Sequence, residues 1–341
     1  MSETNLHGGV KWQSPSNIAL VKYWGKSPKG PQIPQNPSIS LTLSQCRTET
    51  SVFYEESDRF GLHFRFDGKE NPEFQTKLVD FLKTQMVRFP FLNRMDLQID
   101  SHNSFPHSSG IASSASSMSA LVLCLLDIEN NNMDLQEASR LSRLASGSAC
   151  RSVFPKAALW GATEAFKGSS DEYAVSLEDQ IDPIFKTYHD SILIVSDAKK
   201  AVSSRAGHAL MDTNPYATTR YAVANRNIAD LLAALKSGDL EAFMKITESE
   251  AMQLHALMMC SNPSFILMKP NTSRIINTLY EFRRETDIPV CFTLDAGPNV
   301  HLLYPDQHAE MVERFIMDEL ERYCVDGLWI PDRVGEGPSR C

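Results

Sequence analysis

The string NIALVKYWGK (17–26) places Lys22 and Lys26 on either side of a phenol, Tyr23. Two ammonium groups beside a phenol can hold an anion. A strand ending in solvated lysines is the plainer account of either lysine alone. SGSACRSVF (146–154) sets Ser146 and Ser148 around a glycine, with Arg151 three residues after the second serine. Arginine grips a carboxylate or phosphate through two parallel N–H bonds, and small residues let the backbone approach the same anion. The alternative is a small-residue helix start with a surface arginine. FTLDAGPNVHLLY (292–304) puts Asp295 at the end of an apolar run, just before a Gly-Pro turn. A carboxylate at a strand end can act on a substrate hydroxyl. Asp before Gly is also a common turn residue, and the two roles are compatible.

A further stretch, SFPHSSGIASSASSMSALVLCLLDIE (104–129), passes from hydroxyls to an apolar helix. Seven of the fourteen residues from Ser104 to Ser117 are serine. A helix N-terminus leaves N–H groups unpaired and carries partial positive charge. A Gly/Ser loop lets a phosphate reach those amides, and a serine can ligate a phosphate-bound Mg²⁺. A Ser-rich loop ahead of a well-capped helix accounts for the composition equally well. This is not the common P-loop. WGKS (24–27) contains Gly-Lys-Ser, but the earlier glycine that motif needs falls at Leu20.

These residues need a scaffold, and the chain is long enough to supply one. At 341 residues it suits two domains sharing an interface, and 42% hydrophobic content is enough for a core. A net charge of −9 argues against nonspecific nucleic-acid or membrane-surface binding. The seven cysteines are widely spaced without C-x-x-C, which reads as a reducing compartment. The polar N-terminus has no signal-like apolar segment, so a cytoplasmic location is expected. No transition-metal spacing such as H-E-x-x-H occurs among the nine histidines.

The pattern predicts a β-rich start through SNIALVKYWGK and PSISLTLSQ. RTETSVFYEE and FGLHFRFDG follow as a hairpin pair. EFQTKLVDFLKTQMVRF reads as a helix, MDLQID as a strand, and Ser113 to about Asp127 as a helix. Asp134 and Glu137 have capping-box spacing ahead of the next helix. Later come a short strand near Ser191 and helices over about 215–236 and 240–259, separated by Gly238 and Asp239. NTSRIINTLYEFRRE is a helix with an Asn/Thr cap, VCFTL and VHLLY are strands joined by DAGPN, and HAEMVERFIMDELERY is a last helix. The domain boundary is expected at 187/188, with a phosphate-loop domain over 1–187 and a domain carrying Asp295 over 188–341.

PHSSGIASSAS resembles the phosphate loop of the GHMP kinase superfamily. NIALVKYWGK, SGSACRSVF and FTLDAGPNVHLLY are similar to signatures of the mevalonate diphosphate decarboxylase family. LIVSDAKKAVSS, MKPNTSRII and VGEGPS have counterparts there too, in family order, so the resemblance spans nearly the whole chain. It implies an α+β architecture: a ribosomal protein S5 domain 2-like N-terminal domain and a ferredoxin-like C-terminal domain, with the site between them. It also implies ATP-dependent decarboxylation of 5-diphosphomevalonate with Mg²⁺, in a homodimer. On that reading Ser109, Gly110, Ala112, Ser113 and Ser114 hold the ATP phosphates, with Ser114 on the metal. Tyr23, Lys26, Ser146 and Ser148 take the substrate diphosphate, Arg151 the carboxylate, Lys22 the transferring phosphoryl group and Asp295 the tertiary hydroxyl.

Several positions depart from the family pattern. Pro155 and Lys156 stand where Gly-Gly is usual, Pro37 replaces a Ser, and His208 stands where Met is expected. Rivals therefore remain: a 5-phosphomevalonate decarboxylase, a mevalonate 3-kinase, or a catalytically silent nucleotide sensor of the same fold.

Overall fold

The computed structural model describes residues 7–106, 111, 113–129, 133–198 and 204–341, with residues 204 and 205 described by backbone alone. Two long strands open the chain, β1 (His7–Val21) and β2 (Ser38–Glu56). Then come β3 (Gly61–Phe66), β4 (Lys69–Glu70), α1 (Pro72–Gln85) and β5 (Met95–Asn103). Helices α2 (Ser113–Ile128) and α3 (Leu135–Ala145) precede β6 (Ala157–Trp160) and β7 (Ala174–Ser176). A short α4 (Pro183–Lys186) leads into β8 (His189–Leu193).

The second half holds α5 (Ser204–Ala209), α6 (Ala217–Ser237), α7 (Leu240–Met259) and α8 (Pro270–Thr286). It closes with β9 (Cys291–Thr293), β10 (Val300–Tyr304), α9 (Ala309–Phe315), β11 (Trp329–Arg333) and β12 (Ser339–Arg340). The first sheet has the order β12-β1-β2-β5-β3-β4, with β6 on β2 and β7 on β6. The second is an antiparallel sheet of order β11-β8-β10-β9. Numbered within their own unit those strands run 4-1-3-2, the ferredoxin-like arrangement. The last strand, β12, leaves the second sheet and pairs with β1.

The expected hairpin of RTETSVFYEE with FGLHFRFDG is not formed. The first segment is the far half of β2, and β5 lies between it and β3. β3 pairs with β5 in parallel, because α1 carries the chain back over the sheet between them. Adjacency in sequence favours a hairpin loop between β2 and β3, but it carries no information about a third strand inserting.

Cap details also differ. Asp134 accepts the Gln136 N–H, while Glu137 serves Arg88 and Arg140 instead of completing a capping box. Helix α8 begins at Pro270, and Thr272 accepts the Lys269 N–H from inside the helix. Gly238 ends α6 at φ 74°, where a side chain would be strained, and Asp239 caps α7 through the Ala242 N–H. The final helix gives way at Ile316 to a π-helical turn and then a 3₁₀ turn.

Three apolar layers position the site. α2 covers one face of the first sheet through Leu121, Leu125, Val52 and Leu97. Ile18, Leu20 and Leu41 on its other face pack with Ile228 and Leu231 of α6 and Ile192 of the second sheet. The far face of the second sheet is closed by Ile276, Leu279, Val312 and Ile316 against Phe292 and Leu302. With apolar neighbours on both sides, the end of β1 is a continuous buried run instead of an alternating one. Asp332 on β11 stitches the sheets together, its buried carboxylate accepting the N–H groups of Ser44, Gln45 and Cys46.

Candidate active site

Lys22 follows directly after β1, at the seam of the two sheets. Its N–H donates to Glu250 Oε2 at 2.9 Å, and its carbonyl accepts from Asn36 Nδ2 at 3.0 Å. Glu250 is itself held by Arg220 and Asn227, and all of Glu250 is shielded from solvent. With its backbone fixed, the ammonium reaches the Ala19 carbonyl at 2.5 Å and Asp295 Oδ1 at 3.0 Å. The lysine side chain is 2% exposed and the aspartate 25%, so the pair opens on the carboxylate side. Burial lowers the Lys22 pKa, and Asp295 only partly opposes that.

Asp295 sits in the turn between β9 and β10, and that turn is braced at each step. His255 Nε2 donates to the Asp295 carbonyl at 3.1 Å, and the Gly297 N–H reaches the same oxygen at 2.7 Å. Thr272 of α8 donates to the Pro298 carbonyl at 2.6 Å, and Asn299 accepts the Ser196 N–H at 3.0 Å. The aspartate is thereby held at the end of a buried strand with its carboxylate toward Lys22.

Arg151 ends a short 3₁₀ turn (Gly147–Arg151) and is fully enclosed. Its Nε donates to Ser40 Oγ at 2.9 Å, and its terminal nitrogens donate to Ser38 Oγ at 2.6 Å and Asn17 Oδ1 at 3.2 Å. Three of the five guanidinium N–H groups are used, leaving one on each terminal nitrogen, the pair a carboxylate accepts. All three partners are neutral. Among the described residues no carboxylate lies within ion-pairing distance of it. Burial lowers its pKa, and Cys150 and Asp295 oppose that.

Tyr23 lies with its ring edge on Trp160 (4.6 Å between centroids), and the Arg151 guanidinium is 5.9 Å from the same indole. Its hydroxyl is buried without a hydrogen-bond partner among the described residues, and burial pushes its pKa up. A Cβ on Gly147 would come within 2.9 Å of that hydroxyl, so the glycine makes room for the phenol. Ser146 and Ser148 flank Gly147, and the Ser148 carbonyl accepts from Asn17 at 3.3 Å. Lys26 lies near enough to His208 to help lower that imidazole's pKa. The structure thus gathers Lys22, Tyr23 and Asp295 around Arg151, which interacts electrostatically with each, with Ser146 and Ser148 at the edge of the cluster.

Of the expected phosphate-loop residues, Ser109, Gly110 and Ala112 lie outside the described residues. Ser113 and Ser114 open α2, half-buried and exposed. The serines that follow turn inward. Ser116 bonds Thr48 and Ser119 bonds Ser14, each at 2.6 Å, while Ser117 returns to the Ser113 carbonyl. Small hydroxyl side chains let the helix lie close on the sheet while each of these oxygens keeps a partner. The serine-rich stretch therefore divides into two parts, one at the helix mouth and one inside the core.

The Pro155–Lys156 departure points away from the cluster. Lys156 takes φ 56° in place of a glycine, its N–H reaches the Gly335 carbonyl at 2.9 Å, and its ammonium pairs with Glu336. The altered loop is tied to the C-terminal tail.

Residue type and spacing do not single out Asn17, Ser38, Ser40, Glu250, Arg220 or His255. Asn17 opens the NIALVKYWGK string, and Ser38 and Ser40 alternate with Ile39 on one strand face, which is a legible signal for a polar stripe. Glu250 and His255 sit five apart on an amphipathic helix, and nothing local marks either.

A two-domain α+β enzyme scaffold, with buried cations facing one carboxylate across the domain seam, is the class these observations define. Residues 14–174 match the diphosphomevalonate decarboxylase-like N-terminal domain, and residues 191–325 match the mevalonate 5-diphosphate decarboxylase C-terminal domain. The chain is 32% identical to the diphosphomevalonate decarboxylase of Candida albicans over 88% of its own length and 85% of the relative's. It is 34% identical to that of Saccharomyces cerevisiae over 89% and 79%. The mevalonate diphosphate decarboxylase structure from Staphylococcus aureus superposes with a TM-score of 0.87 at 27% identity, covering 98% of both chains. The structure of MDDEF in complex with MVAPP, AMPPCP and magnesium gives 0.84 at 28% identity over the same shares. The chain belongs to the diphosphomevalonate decarboxylase family, and its fold is of the GHMP kinase type.

Proposed function

We propose that the protein converts ATP and (R)-5-diphosphomevalonate into isopentenyl diphosphate, ADP, phosphate and CO₂. The observation that carries this is the meeting of Lys22–Asp295 with Arg151, a buried cation holding only neutral partners. The substrate has a tertiary hydroxyl, a carboxylate and a diphosphate, and the cluster offers a group for each. Asp295 takes or orients the hydroxyl proton while the oxygen attacks the γ-phosphorus of ATP and ADP leaves. Lys22 offsets charge on the phosphoryl oxygens in flight. The attack forms a new O–P bond, and the original C–O bond of the tertiary alcohol then breaks with phosphate as leaving group. The carboxylate C–C bond breaks next, its electrons forming the alkene and releasing CO₂.

Arg151 holds the carboxylate through its two remaining N–H groups and keeps it aligned for departure. Tyr23, Lys26, Ser146 and Ser148 take the diphosphate, where the orphaned Tyr23 hydroxyl finds an acceptor. The first turn of α2, with Ser113, Ser114 and the preceding Ser109, Gly110 and Ala112, holds the ATP phosphates. Mg²⁺ delivered with ATP shields phosphate charge, and Ser114 is its protein ligand. We take 1–187 and 188–341 as the working domains, a homodimer as the assembly and the cytoplasm as the location. All seven cysteines are free thiols in the structure. No described helix is long and apolar enough to cross a membrane.

The test offers purified protein Mg·ATP with mevalonate, 5-phosphomevalonate or 5-diphosphomevalonate and follows ADP and CO₂ in each. Equal release with the diphosphate alone is expected. Release with the monophosphate, or ADP without CO₂, replaces this reading with one of its rivals.

A further inference from the structure

His208 stands where the family pattern leads one to expect Met, and the structure gives the imidazole a defined task. It lies on α5, buried, with its ring 4.4 Å from Tyr23 and 4.7 Å from Trp24. Its Nδ1 accepts the Gly25 N–H at 2.9 Å. An Nδ1 that accepts from a backbone amide must be unprotonated, so the neutral ring carries its proton on Nε2. Burial, with Lys26 nearby, lowers the pKa to about 3, so the accepting form persists at any working pH.

The packing around this contact is specific. Gly25 has φ 98°, and a Cβ there would strike the Tyr221 hydroxyl at 2.2 Å. A Cβ on Gly207, next to His208, would strike the Trp24 ring at 2.5 Å. Gly207 lets α5, and Gly25 lets Tyr221 of α6, close onto the segment that leaves β1. That segment carries Tyr23 with its unpartnered buried hydroxyl and Lys26.

We propose that His208 is a positioning residue for the phosphate end of the substrate: by gripping the Gly25 N–H between the Tyr23 and Trp24 rings, it holds Tyr23 and Lys26 in register for the diphosphate. The proposal rests on the assignment of Tyr23 and Lys26 to the diphosphate. Methionine at this place would fill the space but offer the Gly25 amide only a weak thioether acceptor. In this chain the segment is fixed by a directional bond.

The experiment compares His208→Leu with His208→Asn. The two replacements have similar size and shape, and the asparagine Oδ1 stands in for Nδ1 as acceptor. Leu should raise KM for 5-diphosphomevalonate about tenfold, the size a net hydrogen bond supports, with kcat and the KM for ATP within about twofold. Asn should restore KM to within about threefold of the parent. Calorimetric binding of inorganic diphosphate to the same proteins should follow the same order, independently of turnover. Unchanged KM and diphosphate affinity in the Leu variant would overturn the proposal, as would an Asn variant no better than Leu. A parent protein that shows no turnover of 5-diphosphomevalonate would instead remove the functional reading on which the proposal stands.

Discussion

Arg151 and Arg220 are both enclosed arginines, and their surroundings are opposite in kind. Arg220 meets the Glu250 carboxylate with both terminal nitrogens, so its charge is cancelled where it stands. Arg151 meets two serine hydroxyls and one amide oxygen. The first arrangement fixes backbone, since Glu250 also takes the Lys22 N–H. The second keeps a charge available in a place that is costly to charge, which makes sense when an anion arrives to complete it. Arg220 with Glu250 belongs to the frame, whereas Arg151 on the proposed reading is completed by the substrate carboxylate.

That contrast can be broken by experiment, beginning with the carboxylate that faces the site. Asp295→Asn should lower kcat by about 10³-fold or more, with nucleotide affinity within about threefold, measured by turnover and by ATP-analogue titration. Loss of nucleotide binding would show that Asp295 supports the ATP site instead of acting on the substrate hydroxyl. Arg220→Met strands Glu250 as an uncompensated buried charge and should cost about 3–5 kcal/mol of stability in denaturant unfolding. Arg151→Gln should do the reverse, with kcat down by about 10²-fold and the unfolding midpoint held or raised. If Arg151→Gln destabilises as much as Arg220→Met, the distinction between frame and ligand site fails.

Two smaller effects sharpen it. Burial lowers the Lys22 pKa, so turnover should fall on the alkaline side at a pH below the ordinary lysine value of 10.5. Between the folded value and 10.5 the unfolded chain binds more protons than the folded one, so the Lys22 contribution to stability rises with pH. Activity and this part of stability should therefore move in opposite directions there. An alkaline limb at or above 10.5 would contradict the assignment. Last, Lys156→Gly relieves a positive φ and removes an ion pair whose glutamate is exposed, so stability should change by about 1 kcal/mol or less and kcat/KM for the diphosphate should stay put. A switch of preference to the monophosphate in that variant would return the altered loop to the substrate question.

How much was legible depended on the range of the interaction. The α2 helix, the α6–α7 break at Gly238–Asp239 and the β9–β10 turn are written in local periodicity and turn chemistry, and the structure has them where the pattern put them. The expected β2–β3 hairpin is absent because β5, far along the chain, takes the edge that β3 was expected to fill. In the site, the cations and Asp295 announced themselves by residue type inside unusual strings. Asn17, Glu250 and His255 act through contacts of long sequence separation, so their types alone said nothing.

The chemistry on offer is written in the chain itself: two lysines and a phenol in one string, an arginine after small residues, an aspartate at a strand end and a helix mouth lined with hydroxyls. Residue type and short spacing decide those, because covalent neighbours are always close. Which of these groups share a site, and in what state, was settled by folding. The fold paired Lys22 with Asp295 across 273 positions of chain and gave Arg151 neutral hydrogen-bond partners among the described residues. It turned Ser116 and Ser119 into the core and set His208 against Tyr23. Charge state and pairing depend on burial and on partners brought from distant segments, and no local pattern carries that information.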